Sequence, residues 1–221
     1  MGKNLNLNID LNNEILNHFI FSEMPSDYLK FLRKSNNISN FPQLNALIGS
    51  PQDPNWHPEG DVWNHTLLVI DAAVEYRNQL SNELNAITLM LGALCHDFGK
   101  PYTLIFEDGR FRNPAHDIKG VFPTQIFLNQ CGFNADIVNQ VSMLVKEHLR
   151  PMQLYKLKDN IKSSTILKLA KRVNIDDLIL IAKADHQGRI TSDNSNNEFP
   201  HIDWLESMLN NIDFPRNNIF H

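Results

Sequence analysis

LGALCHDFGKPYT, residues 91–103, begins as the inside of a helix and ends on two residues that are costly to bury. The run extends backward to Leu84, and from Leu84 to His96 the chain is apolar almost all round. That pattern marks a helix at the centre of a core. It then closes on His96 and Asp97, followed by Phe98, Gly99, Lys100 and Pro101. A buried carboxylate must be paired or coordinate a metal, so this ending requires partners elsewhere in the chain. Gly99 is expected to let the chain turn so that Lys100 faces the same site as the His-Asp pair.

The partners are sought on the neighbouring segments. Upstream, residues 11–34 read as two short amphipathic helices broken near Met24–Pro25, and Phe41–Ile48 as a third. A proline-rich loop, SPQDPNWHPEG, leads to Asp61, a good N-cap for DVWNHTLLVIDAAVEYRNQL. Val62, Val69, Ala72 and Tyr76 recur there at helical spacing, and His65 lies on the same stripe. Downstream, TLIFEDGRFR alternates with a period of two about Asp108-Gly109, which predicts a two-stranded hairpin near residues 103–112. Pro114 opens a helix that contains His116 and runs to about Gln130. Asn134–His148 is amphipathic through Ile137, Val141, Leu144 and Val145, and His148 completes that face. Ser163–Val173 and Ile175–His186 follow, the second aligning Leu178, Ile181 and Asp185. Gly188–Pro200 reads as an exposed loop and Ile202–Ile212 as a last helix. The expected fold class is all-α, a helical bundle with one small hairpin.

Six polar residues therefore end or share the apolar faces of separate helices: His65, His96, Asp97, His116, His148 and Asp185. One such histidine is ordinarily a hydrogen-bonded core residue. Six together, all imidazole or carboxylate, point to a metal site built from inward-facing side chains. No Lys or Arg is expected on these faces to pair Asp97 and Asp185. A purely hydrogen-bonded His–Asp network is the alternative reading.

Composition narrows the rest. With 20 basic and 25 acidic residues the net charge is −5, against a general nucleic-acid or membrane-surface binder. No apolar run approaches a membrane span of about 20 residues. The start, MGKNLNLNID, shows no secretory signal, and Asn6 makes Gly2 a poor myristoylation site. Cys95 and Cys131 lack CxxC spacing, so neither a disulfide framework nor a cysteine-zinc site is expected, and a reducing cytoplasm is the default. Cys95, although beside His96, reads as a small buried apolar residue.

The order His65 … His96-Asp97 … Asp185 resembles the HD superfamily of metal-dependent phosphohydrolases. More closely, HPEGDVWNHTLLVIDAA, LGALCHDFGKP, the EDGRFR hairpin, LVKEHLRP and LAKRVNIDDLILIAKADHQGR follow one another as in the HD domain of bacterial tRNA nucleotidyltransferases, the CCA-adding enzymes. The likeness covers about residues 41–190. Residues 1–40 are then an N-terminal helical extension, and 191–221 a loop and helix completing the same domain. The family's nucleotidyltransferase head, with its glycine-rich turn and paired aspartates, is not found, so nucleotide addition is not expected. Two positions depart from the family pattern: AHDIKG around His116, where Gly-His-Glu is common, and His186 after Asp185, where a small residue is commoner.

The resemblance implies that His65, His96, Asp97 and Asp185 hold one divalent metal. His116 and His148 either bind a second metal, with Asp97 bridging, or face the substrate phosphate. The nitrogen-and-oxygen donor set suits Mn, Fe, Ni, Co or Zn, and Mg less well. The implied chemistry is cleavage of small phosphate esters by a metal-activated water, with 2′,3′-cyclic nucleotides, 2′-nucleotides or other phosphomonoesters as substrates. Asp185 or His116 would orient the water, and Lys100, Arg150 and Arg189 would meet the developing charge. Pro151 after Arg150 and Gly188 before Arg189 set both arginines at helix ends. Arg110, Arg112 and His57 are weaker candidates. Two other readings stay open: a metal-centred nucleotide-binding regulatory module without turnover, and a diiron oxygenase. Lys146 to Arg172 holds eight basic residues against two acids. It reads as the solvated face of helix 163–173 rather than an approach for RNA ends.

Overall fold

In the computed structural model, which describes residues 14–189, 198–212 and 214–215, these segments form a helical bundle with one hairpin. The first half runs α1 (Pro25–Lys34), α2 (Pro42–Leu47), α3 (Val62–Arg77), α4 (Glu83–Cys95) and the single turn α5 (Lys100–Thr103). Strands β1 (Ile105–Glu107) and β2 (Arg110–Arg112) follow. The second half runs α6 (His116–Lys119), α7 (Val121–Gln130), α8 (Ala135–Glu147), α9 (Arg150–Tyr155), α10 (Ser163–Ala170), α11 (Ile175–Gln187) and α12 (Pro200–Asn211). The all-α class with one hairpin is as the sequence predicts.

Local chemistry sets the helix starts. Asp61 accepts from the Asn64 amide at the head of α3, and Asn82, Asn134 and Asn174 cap α4, α8 and α11 in the same way. An asparagine at the N-cap satisfies an amide that the helix itself leaves unpaired. Helix α4 is the hub, packed against α3, α8 and α11. Every residue from Thr88 to Lys100 is buried, within a core that extends from Ile15 to Leu209. Asp108 (φ 53°) and Gly109 (φ 74°) are both left-handed, as a two-residue type I′ turn requires, and Phe106 pairs with Phe111 across the strands.

The structure corrects four local expectations. Leu16–Ile20, the first of the two N-terminal segments, is π-helical. The helix expected from Pro114 begins only at His116, because Ala115 is left-handed (φ 55°), and it is divided at Gly120. Pro151 does not merely end a helix; with its fixed φ it sits in the first turn of α9, where its missing N–H is not needed. Gly99 is helical (φ −80°, ψ −22°) rather than a turn. A Cβ there would run into the His116 carbonyl oxygen and come within 2.7 Å of the Gly120 amide. Glycine is needed at 99 for close approach, not for bending. The expectations for residues 1–13, for most of the Gly188–Pro200 loop and for the end of the chain lie outside the described residues. Among those described, no helix is long and apolar enough to cross a membrane.

One buried acid ties α4 to α11. Asp177 is fully buried, with Oδ2 2.8 Å from Thr88 Oγ1. Burial raises its pKa from 3.8 to about 7. The folded state then holds a proton that the unfolded chain releases near pH 4. Stability should therefore fall as pH rises from about 4 to about 7 and level off above it. Asp177→Asn should flatten that slope and stabilise the protein at pH 8 by on the order of 1–3 kcal/mol. Urea denaturation at pH 5 and pH 8 measures this, and an unchanged difference between the two would refute it.

Candidate metal centre

The six residues converge although they come from separate elements. His65 projects from α3, His96 and Asp97 end α4, His116 opens α6, His148 follows α8, and Asp185 lies in the last turn of α11. Adjacent rings are spaced 5.5 Å (His65–His96), 5.5 Å (His96–His148) and 5.1 Å (His116–His148). Donor atoms of His65, His96 and Asp185 lie within 4.8 Å of one another, as do those of Asp97, His116 and His148.

Hydrogen bonds decide which ring nitrogens face inward. Nδ1 of His96 lies 2.8 Å from the Ala93 carbonyl, that of His116 2.7 Å from Asn113, and that of His148 2.6 Å from Val145. A carbonyl can only accept, so each Nδ1 carries the hydrogen and each Nε2 offers a lone pair to the cluster. Nε2 of His116 and Nε2 of His148 stand 3.2 Å apart, with Asp97 Oδ1 3.3 Å from the former. Nε2 of His96 is buried 3.2 Å from Asp97 Oδ2, in a geometry that makes no hydrogen bond. Converging lone pairs of this kind repel one another and suit a cation between them, so the residues fit a divalent ion held by imidazole and carboxylate.

The charges are balanced differently from the sequence expectation. Lys100 Nζ lies 2.7 Å from Asp97 Oδ2 and also donates to Gln52, and Arg189 pairs with Asp185 Oδ2 at 2.6 Å. These cations stand at i+3 and i+4 from their acids, so one helical turn brings them onto the face where no Lys or Arg was expected. Burial raises the pKa of Asp97, but His96 and Lys100 hold it well below the usual carboxylate range. Arg189 and His65 do the same against burial for Asp185. His148 is pushed down to about 3 by burial, with His116 and His96 adding to it.

Four of the six, Asp97, His116, His148 and Asp185, line the floor of a cleft of about 490 Å³ together with Lys100 and Arg189, while His65 and His96 are buried and do not line it. Arg110, Arg112 and His57 also line it. Arg150 does not; it pairs with Glu147 (3.4 Å), as Arg172 does (3.0 Å). Of the basic stretch from 146 to 172, Lys156 reaches the cleft. His186 packs on Phe199 and His201. Both cysteines are free and buried.

Two contributors escaped the sequence reading. Glu59 Oε1 lies 2.8 Å from Nδ1 of His65 and 2.8 Å from Nδ1 of His57, so its carboxylate turns Nε2 of His65 toward Asp185, 3.0 Å away. Gln52 anchors Lys100. Both belong to the loop before α3, which has no periodicity to assign a face; only its direct run into the Asp61 cap hinted at proximity.

A family model described as HD domain matches residues 62–187. The chain is similar to a multifunctional CCA protein of Actinobacillus pleuropneumoniae, 29% identical over 203 residues, covering 87% of this chain and 47% of that protein. A multifunctional CCA protein of Xylella fastidiosa is 31% identical over 182 residues (78% and 40%). One from Mannheimia succiniciproducens is 26% identical over 175 residues (76% and 39%). The chain thus spans less than half the length of these relatives.

Proposed function

Because the chain belongs to the HD domain family, we propose that it is a metal-dependent phosphohydrolase of small phosphate esters, nucleotides among them. The 2′,3′-cyclic phosphodiesterase, 2′-nucleotidase and phosphatase reactions are the candidate activities. The observation that carries this reading is the convergence of His65, His96, Asp97, His116, His148 and Asp185 into one cluster, four of whose members line the cleft. In this reading His65, His96, Asp97 and Asp185 hold one ion, and His116 and His148 either hold a second together with Asp97 or face the substrate phosphate. A divalent ion there supplies a Lewis acid and makes hydroxide accessible near neutral pH.

The chain's own groups do the rest. Asp185 and His116 line the cleft where an attacking water would be oriented. Lys100 and Arg189 line it as cations, each braced by the carboxylate it pairs with, and so stand ready for charge developing on the phosphate. Glu59 keeps His65 in its ligand orientation. Glu59→Ala should weaken metal affinity about 10- to 100-fold, read by chelator competition, and Glu59→Gln less. Equal affinity in Glu59→Ala would remove Glu59 from this role. A cytoplasmic setting is part of the reading, in keeping with two free thiols.

The test is metal analysis of the purified protein, followed by a phosphate-ester panel with each candidate metal. Metal-dependent release of phosphate or opening of a cyclic phosphate, lost in His96→Ala, is expected. Tight nucleotide binding without product would favour a regulatory module instead.

A further inference from the structure

The rim of the cleft is chemically unlike its floor. Trp56, Phe111 and Met152 line it together with Arg110, Arg112 and Lys156. Trp56 is 63% exposed, an unusual position for the largest apolar side chain, whose burial would be strongly favourable. It is nevertheless held near the cluster, since the next residue, His57, is bonded to Glu59, which also bonds His65. Phe111 is braced from behind, with its ring 5.0 Å from that of Phe106 across the hairpin. A simple phosphate or sugar phosphate would use the floor and leave these aromatic groups wet. A flat aromatic ring attached to a phosphate would use both, because bases stack on exposed aromatic side chains whatever their sequence. The cleft, at about 490 Å³, falls within the range of about 300–1,000 Å³ typical of small-molecule sites.

We propose that Trp56 and Phe111 form a nucleobase-stacking rim. The ligand of this cleft is then a nucleotide, with its phosphate at the His/Asp cluster and its base on Trp56. This rests on the phosphohydrolase reading of the cluster and adds the part of the ligand that the metal does not touch.

The test compares binding of the three adenosine monophosphates with that of ribose 5-phosphate to the metal-loaded full chain, by tryptophan fluorescence and calorimetry. Trp63 is buried and Trp204 packs half-buried against Tyr155, neither of them lining the cleft, so ligand-dependent quenching should come from Trp56. The tightest adenosine monophosphate should bind about 5- to 100-fold more tightly than ribose 5-phosphate. Trp56→Ala should bring that ratio to within about twofold of one, and Trp56→Phe, which keeps a ring, should leave an intermediate value. Equal affinities in the unmodified protein, or an undiminished ratio in Trp56→Ala, would overturn the proposal. Turnover of base-free phosphates as fast as nucleotides would overturn it while sparing the phosphohydrolase reading. Absence of both phosphate binding and turnover would overturn the two together. A short single-stranded RNA run in parallel, binding more tightly than any mononucleotide and losing that advantage in Trp56→Ala, would support the stacking rim and identify the source of the base as an RNA end.

Discussion

Asp97→Asn should cost the protein its metal, with affinity falling by more than the roughly 100-fold reached by changes outside the ligand set, and the proposed phosphohydrolase activity falling with it. Asp97 is the one carboxylate that touches most of the cluster. Its oxygens lie 3.2 Å from Nε2 of His96, 3.3 Å from that of His116 and 3.8 Å from that of His65. An amide of the same shape keeps the packing and removes the negative charge. It also leaves Lys100, which is buried, without its anion, and breaking a buried pair is typically destabilising by about 3–5 kcal/mol. Loss of metal through unfolding is therefore separated from loss of a ligand by the double variant Asp97→Asn with Lys100→Met. Removing both partners should recover most of the stability and none of the metal. Metal stoichiometry and thermal denaturation of the three proteins decide the matter; a double variant that regained metal would sink the proposed role of Asp97.

What was legible in the sequence was whatever periodicity or spacing encodes. The run that ends at His96 is buried from Thr88 onward because a stretch apolar almost all round can only be buried, while Leu84 at its start stays exposed. The hairpin follows from Asp108-Gly109, whose residues tolerate positive φ. The six cluster residues were found because each sits at the end or on the apolar face of a helix, where a polar side chain is out of place. The pairings of Asp97 with Lys100 and Asp185 with Arg189 were encoded too, at i+3 and i+4. Reading both cations as residues of the cleft mouth hid that each also neutralises a buried acid. Glu59, Gln52 and Trp56 were harder. They lie in an irregular loop, where no period says which side chain points where, and their place depends on how the loop packs after the helices have formed. Arg150 failed for the opposite reason: proximity in sequence to His148 does not set direction, and Glu147 draws it away.

Gly99→Ala is expected to be strongly destabilising, although it adds a single methyl group. The carbon would collide with the His116 carbonyl oxygen and crowd the Gly120 amide. These two atoms are themselves hydrogen-bonded at 2.8 Å, so neither can retreat without opening the turn that begins with His116. Backbone is far stiffer than a side-chain tip, and overpacking of a close-packed interior ordinarily costs about 1–3 kcal/mol, more where nothing can yield. We expect on the order of 3 kcal/mol or more, which in a chain of this size lowers Tm by about 6–12 °C. The displacement should also reach the metal centre. His116 would move away from His148 and Asp97, so metal or phosphate binding that uses His116 and His148 should weaken before metal binding at His65, His96 and Asp185. Gly109→Ala supplies the contrast. Gly109 is left-handed (φ 74°) with nothing within 4 Å of an added carbon, so its cost is backbone strain of about 1–2 kcal/mol, confined to the hairpin. Thermal denaturation and metal and phosphate binding of the two variants should therefore separate, with binding weakened in Gly99→Ala alone. Wild-type stability in Gly99→Ala would mean that α5 and α6 are not held in this close contact, and the placement of His116 in the cluster would fall with it.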